Sequence, residues 1–405
     1  MNVEGKLQLK EVNADDFGAM RSQFSAMKRT VDELYATSEM AMSRSQLNHL
    51  MDHYYHLGKI VDAYEIFGGY VNRSFGVIME QENGERKDYF VRKYKKTITH
   101  GDIEVEHSLL DYVISHGMKE ASGVVRTKSG ESFVEVEEEK EGERVKRCFA
   151  VYEFLDGEDT YDWINTNMKP EEDAEFAIIL AKFHNAANGF DPGAKEEPRI
   201  LDYVNQFKDI FSNCYKDLGM PENNRFLRLW KESLPFFLEM CDKVESSITP
   251  ELLAGMPEVP CHCDIHPGNA KWKDGKCIGL FDFDWSKLDY RLFDVCFALV
   301  YSCSSWEAQT DGRLWFDRFG YYLDGYNGFL KNEGTLTPLT DEEKKAFPYM
   351  MLAAGLYLLN WSLCYYEDWE IFNEYEYYFY LTHIVKLLHY IDNHADDLYE
   401  VIKNV

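Results

Sequence analysis

Apolar and polar positions change rhythm twice along the chain. In VDAYEIFGGYVNRSFGVIME (61–80), β-branched and aromatic residues flank Gly68-Gly69, a pattern that predicts strand, turn and strand. Asn83-Gly84 within ENGERKD predicts a hairpin turn, and DYFVRKYKK the strand after it. DIEVEHSLLDYVISHGM then takes helical spacing, with Leu109, Leu110 and Val113 on one face and Gly117 closing the helix. A further hairpin is predicted across 132–152, with the acidic EEEKEGER as a solvated turn and FAVYEFL as the returning strand. After Leu155-Asp156-Gly157 the rhythm becomes helical. AEFAIILAKFHNAANGF is an amphipathic helix ending at Gly189, and most of the chain to 405 follows suit except strand-like pieces within 258–285. Residues 1–45 are polar and lean towards helix, with few large apolar residues before Leu47 and Leu50.

The pattern predicts an α+β protein of two lobes. A helical extension covers 1–50, a β-rich lobe with one main helix covers 51–155, and a larger, mostly helical lobe covers 156–405, with a ligand cleft expected at the connector. The apolar run from Tyr349 to Tyr366 has the length of a membrane span, but it contains Asn360 and Ser362, follows Pro348 and runs into Glu367-Asp368. A buried core helix is the expectation.

Composition narrows the function. A formal charge of −28 over 405 residues disfavours nucleic acid and anionic membranes as partners, since both are held by clustered Lys and Arg. The nine cysteines are irregularly spaced and form no CxxC pair, which fits reduced thiols and a cytoplasmic location. The polar N-terminus carries no secretory pattern.

The densest chemistry is CHCDIHPGN at 261–269. Zinc would need two ligand pairs at suitable spacing. His262 and His266 lie between Pro260 and Pro267-Gly268, which oppose a helix, and no second Cys/His pair is placed to help. The other reading starts from Asp264 and Asn269, five apart, followed thirteen residues later by Asp282 in the strand-like GLFDFDW. Phosphoryl transfer needs a carboxylate to take the proton of the attacking hydroxyl and an oxygen pair to hold Mg²⁺, and this spacing matches kinase catalytic and metal loops. Upstream, a glycine turn, the basic pair Arg92-Lys93 in a strand, and Glu104 and Glu106 opening a helix occur in the order that an ATP site requires.

These residues resemble the aminoglycoside phosphotransferase, choline kinase and homoserine kinase superfamily of small-molecule kinases. HCDIHPGN is similar to its H-x-D-x-H-x-x-N loop and GLFDFDW to its metal segment. DYRLFDVCFAL resembles the tail that follows, FGGYVNRSFGV the nucleotide loop, YFVRKY the basic strand and VYEFLDGEDTY the hinge. The resemblance implies a protein-kinase-like fold, an ATP- and Mg²⁺-dependent activity, and a small-molecule hydroxyl as acceptor, of the amino alcohol or amino acid type. Antibiotic phosphorylation and a catalytically silent nucleotide binder are the rivals. By the same resemblance Asp264 is the catalytic base, Asn269 and Asp282 bind Mg²⁺, and Asp294 braces the loop. Gly68, Gly69 and Asn72 lie at the phosphates, Arg92 contacts them and pairs with Glu106, and Glu153, Phe154 and Leu155 hold adenine.

Some positions keep two readings. Lys93 competes with Arg92, because adjacent strand residues face opposite sides. His262 is expected to brace the loop rather than act as the base, and Asp284 is either an outer metal partner or a surface acid. Trp361, Tyr365 and Trp369 recur on one helical face, either as core or as a cage for an ammonium group.

Overall fold

The computed structural model describes residues 42–66, 72–95, 97–140, 143–193, 197–215, 223–307, 309–364, 374–403 and 405. Gly68, Gly69 and the side chains of Trp361, Tyr365 and Trp369 lie outside the described residues. The chain forms two compact units, one of Met1–Thr99 with Val124–Phe154, the other of His100–Gly123 with Leu155–Val405.

The first unit opens with helix α1 (Arg44–Tyr54) and continues as an antiparallel sheet of β1 (Lys59–Ile66), β2 (Arg73–Glu80), β3 (Arg86–Lys93), β4 (Val134–Lys140) and β5 (Glu143–Glu153). The strand order is β1-β2-β3-β5-β4. The Asn83-Gly84 turn joins β2 to β3, with Gly84 at φ 81°, a conformation that glycine adopts without strain. Phe75, Val77, Met79, Tyr89, Val91, Phe149 and Val151 alternate onto one face and pack against Leu47, Leu50 and Met51 of α1. Each such side chain contributes about 1.5–3 kcal/mol by leaving water. Ser43 starts α1 with a capping box, its hydroxyl accepting from the Gln46 N–H while the Gln46 side chain accepts from the Ser43 N–H.

One expectation fails here. Most of EEEKEGER is strand and not turn, since β4 runs to Lys140 and β5 begins at Glu143, with 141–142 outside the described residues. Basic residues on the returning strand make the acidic strand tolerable: Lys146 meets Glu135 at 2.5 Å and Arg144 meets Glu137 at 3.7 Å.

The second unit begins with α2 (His100–Ser115), closed by Gly117 at φ 98°. Then come α3 (Pro170–Ala187), α4 (Ile200–Asn213), α5 (Arg225–Ser247) and the single turn α6 (Pro250–Leu253). Two small two-stranded ladders follow: β6 (Glu258–Cys261) pairs with β9 (Lys287–Tyr290), and between them β7 (Ala270–Lys273) pairs with β8 (Lys276–Leu280). The chain ends in α7 (Arg291–Ser302), α8 (Phe316–Asn332), α9 (Asp341–Cys364), α10 (Glu374–Asn393) and α11 (Ala395–Ile402). Helix α3 packs closely on α8, where a Cβ on Gly325 would stand 2.6 Å from the Ala174 carbonyl. Helix α9 is a core helix as expected, with Met350, Met351, Leu352 and Leu356 buried. Among the described residues no helix is long and apolar enough to cross a membrane. The α+β class is the expected one, an antiparallel sheet unit and a mainly helical unit, but α2, expected as the main helix of the β-rich lobe, groups with the helical unit.

Candidate active site

The loop 262–269 hangs between β6 and β7, and three tethers fix its shape. The first is Asp294, fully buried near the start of α7. Its carboxylate accepts the backbone N–H of His262 at 2.5 Å, that of Cys263 at 2.9 Å, and His184 Nε2 of α3 at 3.0 Å. His184 is itself held through Nδ1 by the Tyr326 hydroxyl of α8 at 2.7 Å. The carboxylate thereby holds Cys263 in the left-handed region, at φ 62°, which non-glycine residues seldom occupy. Asp294 is the brace that the sequence pointed to; His184 and Tyr326 carry no local motif that marks them.

The second tether is His262. Its Nε2–H donates to the Phe281 carbonyl at 2.9 Å, and Nδ1 accepts the Asp264 N–H at 3.3 Å. Burial lowers its pKa, so the ring stays neutral with a single tautomer that serves both bonds. A side chain so engaged is a brace and not a base.

The third tether is Phe281. Its N–H donates to the Asn269 carbonyl at 3.0 Å while its own carbonyl takes His262. The residue after β8 is thus stitched to both ends of the loop, and Asp282 follows it in a left-handed backbone at φ 70°. Asp264, Asn269 and Asp282 therefore belong to one hydrogen-bonded assembly.

Asn269 Nδ2 donates to the Asp264 carbonyl at 2.8 Å and to its carboxylate at 3.1 Å, which leaves the amide oxygen as the acceptor. Burial, then the charges of Asp282 and Asp284, push the Asp264 carboxyl well above the usual range. Carboxylates crowded in this way favour a bound divalent cation. The donors on hand, the Asn269 amide oxygen and the Asp282 carboxylate, are the hard oxygen set that such an ion prefers. Asp284 is half-buried and bears electrostatically on Asp264.

The thiols take no part. Cys261 and Cys263 are buried and donate to the Val259 and Cys261 carbonyls. Burial pushes both thiols well up. Cys261 does come close to His184 and Asp294, but those side chains are spent on the tether. Neither thiol of the folded protein should react with iodoacetamide at pH 8, as read by peptide mass spectrometry. Rapid alkylation of either would show the loop to be open.

The remaining predicted site residues fall elsewhere. Asn72 Oδ1 accepts the Lys95 N–H at 3.0 Å. Arg92 and Lys93 are both buried, on opposite faces of β3. Lys93 shares the face of Tyr89 and Val91 that α1 covers, with its Nζ 5.6 Å from the centre of the Phe149 ring. Arg92 lies on the other face among the rings of Phe90, Tyr94 and Tyr152, opposite Ala150. Glu106 is buried on α2. Glu153 ends β5 and pairs with Lys87 at 3.1 Å; Phe154 and Leu155 follow, half-buried.

Comparison with known proteins bears on the family and the fold. The phosphotransferase enzyme family matches residues 65–328. A homoserine kinase of Phenylobacterium zucineum is 24% identical over 319 residues, 78% of this chain and 82% of that protein. The structure of spectinomycin phosphotransferase in complex with ADP and spectinomycin superposes with a TM-score of 0.60 at 16% identity, over 87% of this chain and 99% of that one. A microcompartment-associated aminopropanol kinase gives 0.59 at 14% identity, over 88% and 98%. With its family match spanning most of the chain, this protein belongs to the phosphotransferase enzyme family and is a small-molecule kinase.

Proposed function

We propose that the protein transfers the γ-phosphoryl group of ATP to the hydroxyl of a small amine-bearing alcohol. The observation that carries this reading is the assembly of Asp264, Asn269 and Asp282 around Phe281. Asp264 orients the acceptor hydroxyl and takes its proton as the new O–P bond forms and the bond to ADP breaks. Asn269 and Asp282 would hold Mg²⁺, which supplies charge neutralisation at the phosphates. Catalysis is otherwise positioning and electrostatics. Gly68, Gly69, Asn72 and Arg92 would meet the phosphates, Glu106 would orient Arg92, and the backbone at Glu153, Phe154 and Leu155 would meet adenine.

Arg92 is favoured over Lys93 because its face of the sheet is the one α1 leaves uncovered. Arg92→Met should raise the KM for ATP by about ten- to a hundred-fold, the loss of one charge-assisted contact, with little change in unfolding. Lys93→Met should instead change stability and spare that KM. The reverse pattern would assign the phosphates to Lys93.

Eight described cysteines are outside any disulfide, which suits the cytoplasm. A coupled ADP-release assay with Mg²⁺, ATP and a panel of homoserine, ethanolamine, choline, aminopropanol and spectinomycin tests the activity. Phosphorylation of an amine-bearing alcohol supports the reading; turnover of spectinomycin alone would move the protein to antibiotic phosphorylation, and turnover of none would overturn it.

A further inference from the structure

His266 lies two residues beyond Asp264, and the turn that bends the loop also fixes its ring. It caps the short helical turn Pro267–Asn269, its Nδ1 accepting the Gly268 N–H at 3.1 Å. A ring nitrogen that accepts must keep its lone pair, so the imidazole is neutral and its proton sits on Nε2. The ring cannot flip without giving up that bond. Gly268 lies against it, where a Cβ would stand 2.9 Å from the ring Cε1 and 3.2 Å from the Asp162 Cα. The Tyr301 ring also packs on it, with centres 5.3 Å apart. Nε2–H is then the one polar group of the ring that makes no hydrogen bond among the described residues.

That N–H lies beside the base. Nε2 stands 3.9 Å from Asp264 Oδ1, too far for a direct hydrogen bond. The other carboxylate oxygen is taken by Asn269 Nδ2 at 3.1 Å, while Oδ1 makes no hydrogen bond among the described residues. An uncommitted donor and an uncommitted acceptor thus stand apart by the width of one oxygen. An oxygen about 2.7–2.8 Å from each would see them at roughly a right angle, a geometry open to a hydroxyl that gives one hydrogen bond and takes another. Neither group is sealed off: His266 keeps 14% of its side-chain surface open and Asp264 18%.

We propose that His266 is a catalytic residue, its Nε2–H donating to the oxygen of the acceptor hydroxyl whose proton Asp264 receives. This rests on the phosphotransferase reading and adds a second group at the reacting atom. The hydroxyl oxygen has its carbon on one side, its proton directed to Asp264 Oδ1 and one lone pair taken by His266. A single lone pair remains, and the two hydrogen bonds fix its direction. It forms the new O–P bond as the bond from phosphorus to the leaving oxygen of ADP breaks. The hydroxyl proton ends on Asp264, and His266 keeps its own.

Two substitutions separate the two bonds of the ring. In His266→Asn the amide oxygen takes the place of Nδ1 and keeps the Gly268 N–H, but no donor reaches towards Asp264. In His266→Gln the longer amide sets an N–H near the place of Nε2 and gives up the Gly268 bond. Both are compared with wild type and Asp264→Asn in steady-state transfer from ATP and in thermal unfolding. The acceptor is whichever of homoserine, ethanolamine, choline, aminopropanol and spectinomycin wild type turns over fastest. His266→Asn should lose about ten- to a hundred-fold in kcat, the effect of one hydrogen bond at a reacting oxygen, with the KM for ATP and the Tm near wild type. His266→Gln should recover most of that kcat and yet have the lower Tm. A purely structural histidine predicts the reverse, with activity following the Gly268 bond. A His266→Gln kcat about ten-fold or more below wild type, or a His266→Asn kcat equal to wild type, overturns the inference and leaves Asp264 as the base. Wild-type kcat in Asp264→Asn, or turnover of none of the five acceptors by wild type, overturns it together with the reading it rests on.

Discussion

Asp264→Asn is expected to lose about a hundred- to ten-thousand-fold in kcat, the range that a positioned base commands, and yet to unfold no more easily than wild type. Both halves follow from one arrangement. The substitution keeps the shape of the side chain, and an amide oxygen can still accept from Asn269 Nδ2, so the loop retains that bond. What is lost is the ability to take a proton. At the same time one negative charge leaves a buried cluster in which Asp282 and Asp284 already oppose it. Removing that repulsion should leave the Tm equal or raise it, the signature of a group kept for chemistry at some cost to stability. Parallel kinetics and thermal unfolding check the pair of outcomes. An Asp264→Asn protein with wild-type kcat would remove Asp264 from the chemistry, and one that unfolds readily would make it a structural residue.

Asp294→Ala should do the opposite, costing stability and activity together. The carboxylate is fully buried and satisfies the backbone N–H groups of His262 and Cys263 and the imidazole of His184. Each buried donor left without a partner costs about 1–3 kcal/mol, so a total of about 3–5 kcal/mol is expected, near the upper end for single substitutions. Activity should fall with it, because the left-handed backbone of Cys263, one residue before Asp264, has no other restraint of that strength. Urea unfolding measures the first effect and kcat the second. Unfolding free energy within about 1 kcal/mol of wild type would mean that the loop holds its shape without the carboxylate.

The sequence revealed what depends on short spacing. Asp264, Asn269 and Asp282 were visible because a loop must fix the distance between base and metal ligand within a few residues, and proline and glycine mark the turn. Gly84, Gly117 and Gly189 marked boundaries because each takes a positive φ that other residues resist. The role of α1 was not legible: the sequence reads as a peripheral extension up to Leu47 and Leu50, and nothing local says that Leu47, Leu50 and Met51 cover a sheet. Strand parity was also available. Residues 89, 91 and 93 alternate against 90 and 92, so once one face is known to be covered, Lys93 and Arg92 separate.

What stayed hidden was long-range. His184 and Tyr326 reach Asp294 across 110 residues and from a third helix. Phe281 works through its backbone, which no side-chain motif records. The strand character of residues 137–140 was masked because local charge repulsion argues for a turn, and the basic residues of the returning strand that offset it act only once paired across the hairpin.

Binding of Mn²⁺, followed by electron paramagnetic resonance in the presence of ATP, bears most directly on the site itself. Wild type should bind the ion, and Asn269→Ala and Asp282→Ala should each weaken it by about a hundred-fold or more, exceeding what outer partners usually contribute. Unchanged affinity in both variants would show that these oxygens do not meet at a cation, and the assignment of the loop to phosphoryl transfer would fall.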